Sequence, residues 1–380
     1  MAMAGGVAAI LLAAPPAVAD SIRDKQWHLQ FLNVTAAHAQ SQGDGVTVAV
    51  VDSGVNGSHP DLAGNVLPGV DVSGAGAPNG QTDADGHGTG MAGLIAAHGH
   101  GNGDGALGIA PRAKILPIRD SQSQDPTPEA IAAGINTAVK SGAKVISISA
   151  GGSDVPAIRT AIQAALAADA VVVAAVGNRP KAQLAAFPAS YDGVVAVGAT
   201  DQNGNIASLS VTGNAVVLTA PGMRIVTTDA IGGYRIADGT SDATAIVAGA
   251  AALVRSKYPN LSAKEVIHRL TATATDKGAP GRDPQYGYGV LNLVGALTAD
   301  VPPLASSTTP SAAPSRSTTG AAPPTIDVPT GPTNAAAPGN DKGSGSHAWL
   351  IIAASAVVVL VAAGVVGWLL LRRRGQPSAS

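Results

Sequence analysis

Residues 46–55 read VTVAVVDSGV. An uncharged, valine-rich run stops on Asp52, Ser53 and Gly54, which predicts a short strand with a carboxylate at its carboxyl end. The same arrangement recurs in AKILPI (113–118), KVISISA (144–150) and VVVAAVG (171–177). Between these runs lie small-residue segments with helical spacing: GMAGLIAA (90–97), residues 129–141 and residues 156–169. Strands alternating with helices predict an α/β domain built on a mostly parallel sheet. Residues 171–176 are apolar at consecutive positions, as expected where helices cover both faces of a sheet. Further on, Ser262 and Glu265 stand at capping-box spacing and predict the start of the SAKEVIHRLTATA helix.

The apolar patterning is continuous from about Val46 to Leu297, one domain's worth of a chain of 380 residues. Formal net charge is −2 and 13% of residues are charged, with no basic face, so a nucleic-acid partner has no electrostatic support. At the amino end, GGVAAILLAAPPAVAD closes on Ala17-Val18-Ala19, the small-x-small pattern of a signal-peptide cleavage site, although a positively charged segment ahead of it is missing. At the other end, Ala348 to Leu371 carries no charge and would reach about 36 Å as a helix, enough to span a bilayer. Trp349 and Trp368 stand near its two ends, and Arg372, Arg373 and Arg374 follow, which puts the tail in the cytoplasm and the domain outside. Residues 301–346 are rich in Pro, Ser, Thr, Gly and Ala and form a linker, not a core. The chain has no cysteine, so an exported domain would hold together without disulfides.

Four residues carry the chemistry. Ser241, in DGTSDATAIVAGAAALV (238–254), stands at the start of an Ala-rich helix, where unpaired backbone N–H groups surround its hydroxyl. An ordinary Ser N-cap would read the same way. His87, in DADGHGTGMAG (83–93), is flanked by glycines that let another segment approach the imidazole, and a neutral imidazole can take a hydroxyl proton and return it to a leaving amine. Asp52 stands at the carboxyl edge of the sheet, where α/β proteins collect their sites, and could orient His87. Asn178, just beyond VVVAAVG, has an amide that could donate to an oxyanion. Each alone reads as a loop or turn residue; together they supply what nucleophilic acyl transfer needs.

These segments resemble the subtilisin-like serine peptidases, from about Gln26 to Leu297. The order Asp, His, Ser is that of subtilisin. HPDL at His59, LTAPG near Pro221 and YGYGVLN from Tyr286 extend the likeness. The resemblance implies a three-layer subtilisin-like fold, Asp52, His87 and Ser241 as catalytic triad and Asn178 as oxyanion donor. It also implies Ser149, Ala150 and Gly151 as the strand that takes up an extended peptide by β-augmentation. The order of segments resembles the mycosins of type VII secretion. It comprises a signal peptide (1–19), N-terminal extension (20–45), peptidase domain (46–300), linker (301–346), membrane helix (348–371) and cytoplasmic tail (372–380). The mycosin likeness implies a single-pass, cell-membrane serine endopeptidase with its catalytic domain outside, a protein or peptide substrate, secretion-machinery partners and no cofactor or metal. A different reading is a scaffold that stabilises a secretion complex with proteolysis weak or dispensable; activity against assembly in Ser241→Ala separates the two.

Two departures stand out: HGTGMAG replaces the usual HGTHVAG, and DATAI follows the serine where many relatives have MASPH. Asp242 thereby adds a negative charge at a helix N-terminus, favourable for the helix and close enough to bear on the titration of His87. The absent cysteines also depart from disulfide-bearing mycosins. GTGMAG (88–93) and GDGALG (103–108) match a dinucleotide fingerprint, but neither follows an apolar strand directly. DQNGN (201–205) lacks the glycine a calcium loop needs, Ile206 standing there, and reads as a surface turn. His98 and His100 lack further matched ligands and read as part of a flexible loop.

Overall fold

Seven strands form a central sheet in the order Val70–Asp71, Lys114–Arg119, Thr47–Asp52, Val145–Ile148, Val171–Ala175, Val195–Thr200 and Leu218–Pro221, and each paired neighbour is parallel. The computed structural model describes residues 22–304, apart from residues 75, 77, 78, 102 and 124. The signal peptide, most of the linker, the membrane helix and the tail expected from the sequence lie outside the described residues. Among the described residues, no helix is long and apolar enough to cross a membrane.

In chain order the strands are β1 (Thr47–Asp52), β2 (Val70–Asp71), β3 (His98–His100), β4 (Asp104–Leu107), β5 (Lys114–Arg119), β6 (Val145–Ile148), β7 (Val171–Ala175), β8 (Val195–Thr200), β9 (Leu218–Pro221), β10 (Ile225–Thr228) and β11 (Tyr234–Ala237). The helices are α1 (Trp27–Phe31), α2 (Val34–His38), α3 (His87–Ala96), α4 (Pro128–Lys140), α5 (Pro156–Ala167), α6 (Thr240–Lys257), α7 (Ala263–Ala272) and α8 (Leu293–Thr298). The expected α/β architecture is therefore present, with a helix layer on each face of the sheet. Val48 and Val50 of β1 enter a core shared with α3 and α6, whereas Ala49 and Val51 enter one shared with α4 and α5. This follows from the alternation of side chains along a strand buried on both faces.

Helix α6 is the central helix: residues 242–255 are all buried. Its Ala and Gly content lets it lie close to its neighbours; a Cβ on Gly249 would come 2.7 Å from the Ile109 Cβ. A helix apolar on every side is one buried on every side. The capping box at the start of α7 forms, with Ser262 Oγ accepting from the Glu265 amide and the Glu265 carboxylate accepting from the Ser262 amide.

The segment read as an N-terminal extension packs into the domain. Leu32, Val34 and Ala37 are buried in the same core as α3 and α6. The Gln26 side chain donates to the Leu107 and Val226 carbonyls and accepts from the Leu107 amide. His98 and His100 fall in the β3–β4 hairpin instead of a flexible loop. Four glycines with positive φ (Gly99, Gly101, Gly103, Gly105) let it bend and mask the strand pattern. Asp201 Oδ1 accepts from the amides of Asn203 and Asn205, as a surface turn requires.

His28 of α1 is fully buried and neither ring nitrogen has a hydrogen-bond partner. Burial lowers its pKa from 6.5 to about 3. The folded state therefore binds fewer protons than the unfolded one below pH 6.5, and stability is lost as pH falls from 6.5 towards 3. The loss amounts to roughly 5 kcal/mol at the low end, from 1.36 kcal/mol per pKa unit. His28→Leu should flatten this part of the stability profile, measured by urea unfolding between pH 7 and 4; an unchanged slope would show that His28 does not govern it.

Candidate active site

β1 lies between β5 and β6, so the chain leaves it in both directions across the sheet, and a crevice forms outside the carboxyl ends of the strands at such a point. Four of the sequence-predicted residues meet there. Asp52 ends β1, Ser149 follows β6, Asn178 follows β7, and Ser241 is the second residue of α6. Ser241 is not the N-cap: Gly239 holds that position, and no side chain caps the helix.

His87 is the first residue of α3 and is 7% exposed. Its Nδ1 donates to Asp52 Oδ1 at 2.7 Å. That bond fixes the ring and, in the neutral imidazole, leaves the lone pair on Nε2. The helix can start this close to β1 only because residue 88 is glycine: a Cβ there would stand 2.1 Å from the Gly54 carbonyl oxygen. Burial lowers the pKa of His87, but the charge of Asp52 and its hydrogen bond, with the charge of Asp242, outweigh burial and raise it from 6.5 to about 9.

A second layer of residues holds Asp52 and His87 in place. Asp52 Oδ1 also accepts from the Ser53 amide at 2.8 Å. Ser53 Oγ donates to Asp83 Oδ1 at 2.9 Å and accepts from the Gly88 amide at 3.0 Å. Asp83 accepts as well from the amide and hydroxyl of Thr89 and from the Gly86 amide. One carboxylate thus satisfies orphan N–H groups at the start of α3 and favours the dipole there.

Asn178 Oδ1 accepts from the Thr240 amide at 2.9 Å and from its hydroxyl at 3.0 Å. With the oxygen so engaged, Nδ2 is the end that remains to donate. The Ser241 amide lies in the first turn of α6, without a carbonyl four residues back inside the helix. The Ser241 hydroxyl donates to the Ser149 carbonyl at 3.4 Å. Ser149, Ala150 and Gly151 line, with Asn178, Thr240 and Ser241, a cleft of about 370 Å³. A Cβ on Gly151 would meet the Ala186 Cβ at 2.6 Å, and beyond it Gly152 pairs with Phe187. All seven predicted site residues thus fall at one end of the sheet.

Sequence reasoning misses Ser53, Asp83 and Thr240, and also Asp120, which follows β5. Asp120 is 2% exposed, and neither carboxyl oxygen has a hydrogen-bond partner. Burial, with the charge of Asp52, raises its pKa to about 7. Its position directly after the AKILPIR run, beside the equivalent position on β1, is the signal that could have found it. No group of three or more metal-ligating side chains occurs among the described residues.

Asp52, His87, Ser241 and Asn178 thus stand at the carboxyl edge of a parallel α/β sheet. The sequence pattern of the subtilase family matches residues 43–289, and the chain belongs to that family. It is 40% identical over 260 residues to subtilisin DY of Bacillus licheniformis, covering 67% of this chain and 92% of that protein. Among solved structures it is similar to MycP1 from Mycobacterium smegmatis, at 31% identity and a TM-score of 0.64, covering 76% of this chain and 88% of the other. It is also similar to the MycP3 protease from the type VII (ESX-3) secretion system, at 33% identity and a TM-score of 0.64, covering 75% and 90%. The protein is a subtilisin-like serine peptidase related to the mycosins.

Proposed function

We propose that this chain is a membrane-anchored, extracytoplasmic serine endopeptidase that cuts protein substrates and works beside a type VII secretion machinery. Ser241 is the nucleophile, His87 the general base and then acid, Asp52 the residue that orients His87, and Asn178 with the Ser241 amide the oxyanion donors. The observation that supports this most is the 2.7 Å bond from His87 Nδ1 to Asp52; Ser241 and Asn178 line one cleft.

An extended peptide lies along Ser149–Gly151, and its scissile carbonyl stands over Ser241. His87 Nε2 takes the Ser241 proton as Oγ forms its bond to the carbonyl carbon. The Asp52 carboxylate stabilises the imidazolium. The negative charge that develops on the carbonyl oxygen is met by Asn178 Nδ2 and the Ser241 amide. His87 then protonates the leaving amine, and water repeats the sequence in reverse to free Ser241. Residues 348–371 anchor the chain, and residues 301–346 tether the domain to the membrane. The test is cleavage of an internally quenched peptide library by the full chain, with membrane fractionation of cells carrying the whole protein and one lacking residues 348–371. Cleavage by the full chain and release of the truncated form support the reading. A folded full chain that cuts no peptide, or equal membrane retention of both forms, would overturn the corresponding part.

A further inference from the structure

The glycines at the start of α3 pack against the β10–β11 hairpin. A Cβ on Gly86, the residue before the helix, would stand 3.0 Å from Asp229 Oδ1, one on Gly90 3.2 Å from Thr227 Cγ2, and one on Gly93 2.2 Å from Thr228 Oγ1. The contact is bonded as well as close. Thr227 and Thr228 end β10 and are fully buried, and their hydroxyls donate to the Gly90 and Thr89 carbonyls at 2.7 Å each. Both accepting carbonyls belong to the first turn of α3, which His87 opens.

The polar network that holds Asp52 and His87 reaches the same hairpin. Thr89 Oγ1, which donates to Asp83, accepts from the Asn56 amide at 2.9 Å. Asn56 Nδ2 in turn donates to the Ala230 carbonyl at 2.7 Å. His59 Nε2 donates to the Gly233 carbonyl at 2.9 Å, while its Nδ1 accepts from the Asp61 amide. Ala230 and Gly233 lie in the turn between β10 and β11, and β11 ends at Ala237, four residues before Ser241. One hairpin is therefore bonded to the helix start that carries His87 and leads into the helix start that carries Ser241.

We propose that Thr227 and Thr228 are positioning residues: by bonding the first turn of α3 to the hairpin that leads into α6, they set His87 relative to Ser241. This rests on the triad reading given above. Neither threonine lines the cleft of Ser149–Gly151, so their effect falls on the geometry of proton transfer and not on peptide binding. Gly90 and Gly93 offer no side chains to interlock with the hairpin, whereas hydrogen bonds are directional, so the two hydroxyls fix where α3 sits along it. A displacement of about 1 Å between reacting groups costs up to about 10² in rate.

The experiment compares the full chain with two double variants, Thr227→Val with Thr228→Val and Thr227→Ser with Thr228→Ser. Asn56→Asp serves in addition, since it keeps the oxygen that accepts from Ser58 and removes the donor to Ala230. Steady-state kinetics on one peptide, well below the unfolding midpoint, is paired with amide hydrogen exchange. The valine pair should lose about 10- to 100-fold in kcat with KM unchanged. The serine pair, which keeps both hydroxyls, should restore kcat, and Asn56→Asp should show a smaller loss of the same kind. In the valine pair the Gly88 and Thr240 amides, bonded to Ser53 and Asn178, should both exchange faster. A merely structural role would lower Tm and leave kcat as it is. Parental kcat in the folded valine pair or in Asn56→Asp, equal losses in the valine and serine pairs, or faster exchange confined to residues 225–237 would overturn the proposal. A parent chain that cuts no peptide would count against the triad reading, and the exchange measurement would still decide whether the hairpin holds the two helix starts together.

Discussion

Ser241→Ala is expected to lower kcat by about 10⁶, His87→Ala by a comparable factor, and the double variant no further. In subtilisin, loss of either residue alone costs about as much as loss of the whole triad, because nucleophile and base act as a unit. The geometry here predicts the same coupling. His87 is fixed by Asp52 at 2.7 Å and has Nε2 left for Ser241, so it has little purpose without the hydroxyl, and the hydroxyl has no base without it. KM should change little, since neither residue belongs to the segment Ser149–Gly151 proposed to hold the peptide. Steady-state kinetics on one peptide substrate, with circular dichroism to verify folding, checks this. A double variant that multiplies the two single losses would show that the residues act independently.

Asn178→Ala is expected to lower kcat by about 10² to 10³ with KM nearly unchanged, the size of effect that an oxyanion donor contributes. A second consequence separates this donor role from a structural one. Asn178 Oδ1 also accepts from the amide and hydroxyl of Thr240, so truncation releases the first residue of α6 as well. If that anchor were its whole contribution, Thr240→Val, which keeps the amide bond but removes the hydroxyl, would reproduce part of the kinetic loss and both variants would lower Tm together. The donor role predicts instead that Asn178→Ala alone shows the large loss in kcat. Equal kinetic effects from the two substitutions would contradict it.

The residues legible in the sequence are those whose local setting points to their role. Asp52 stops an apolar run, His87 sits between glycines, Ser241 opens an Ala-rich helix and Asn178 follows a fully buried strand, and all four come together at the sheet edge. Strands β1, β5, β6 and β7 are legible because they are buried on both faces and so carry largely apolar runs. Helices α1 and α2, each of five residues, are too short to show a period, so residues 20–45 read as an extension though Leu32, Val34 and Ala37 are buried in the core. The bond between Ser53 and Asp83 joins positions thirty residues apart in loops, and nothing in either local pattern requires it. Asp242 reads in sequence as a charge favourable to its helix; the fold buries it instead, because α6 runs through the core and its first turn carries the site.

The most direct measurement is reaction of the folded full chain with a fluorophosphonate, followed by peptide mapping of the adduct. One covalent adduct is expected, on Ser241, at a rate that rises with pH as His87 loses its proton and that collapses in His87→Ala. No adduct on a folded protein, an adduct at another residue, or a rate unchanged by His87→Ala would contradict the assignment of Ser241 and His87 as nucleophile and base.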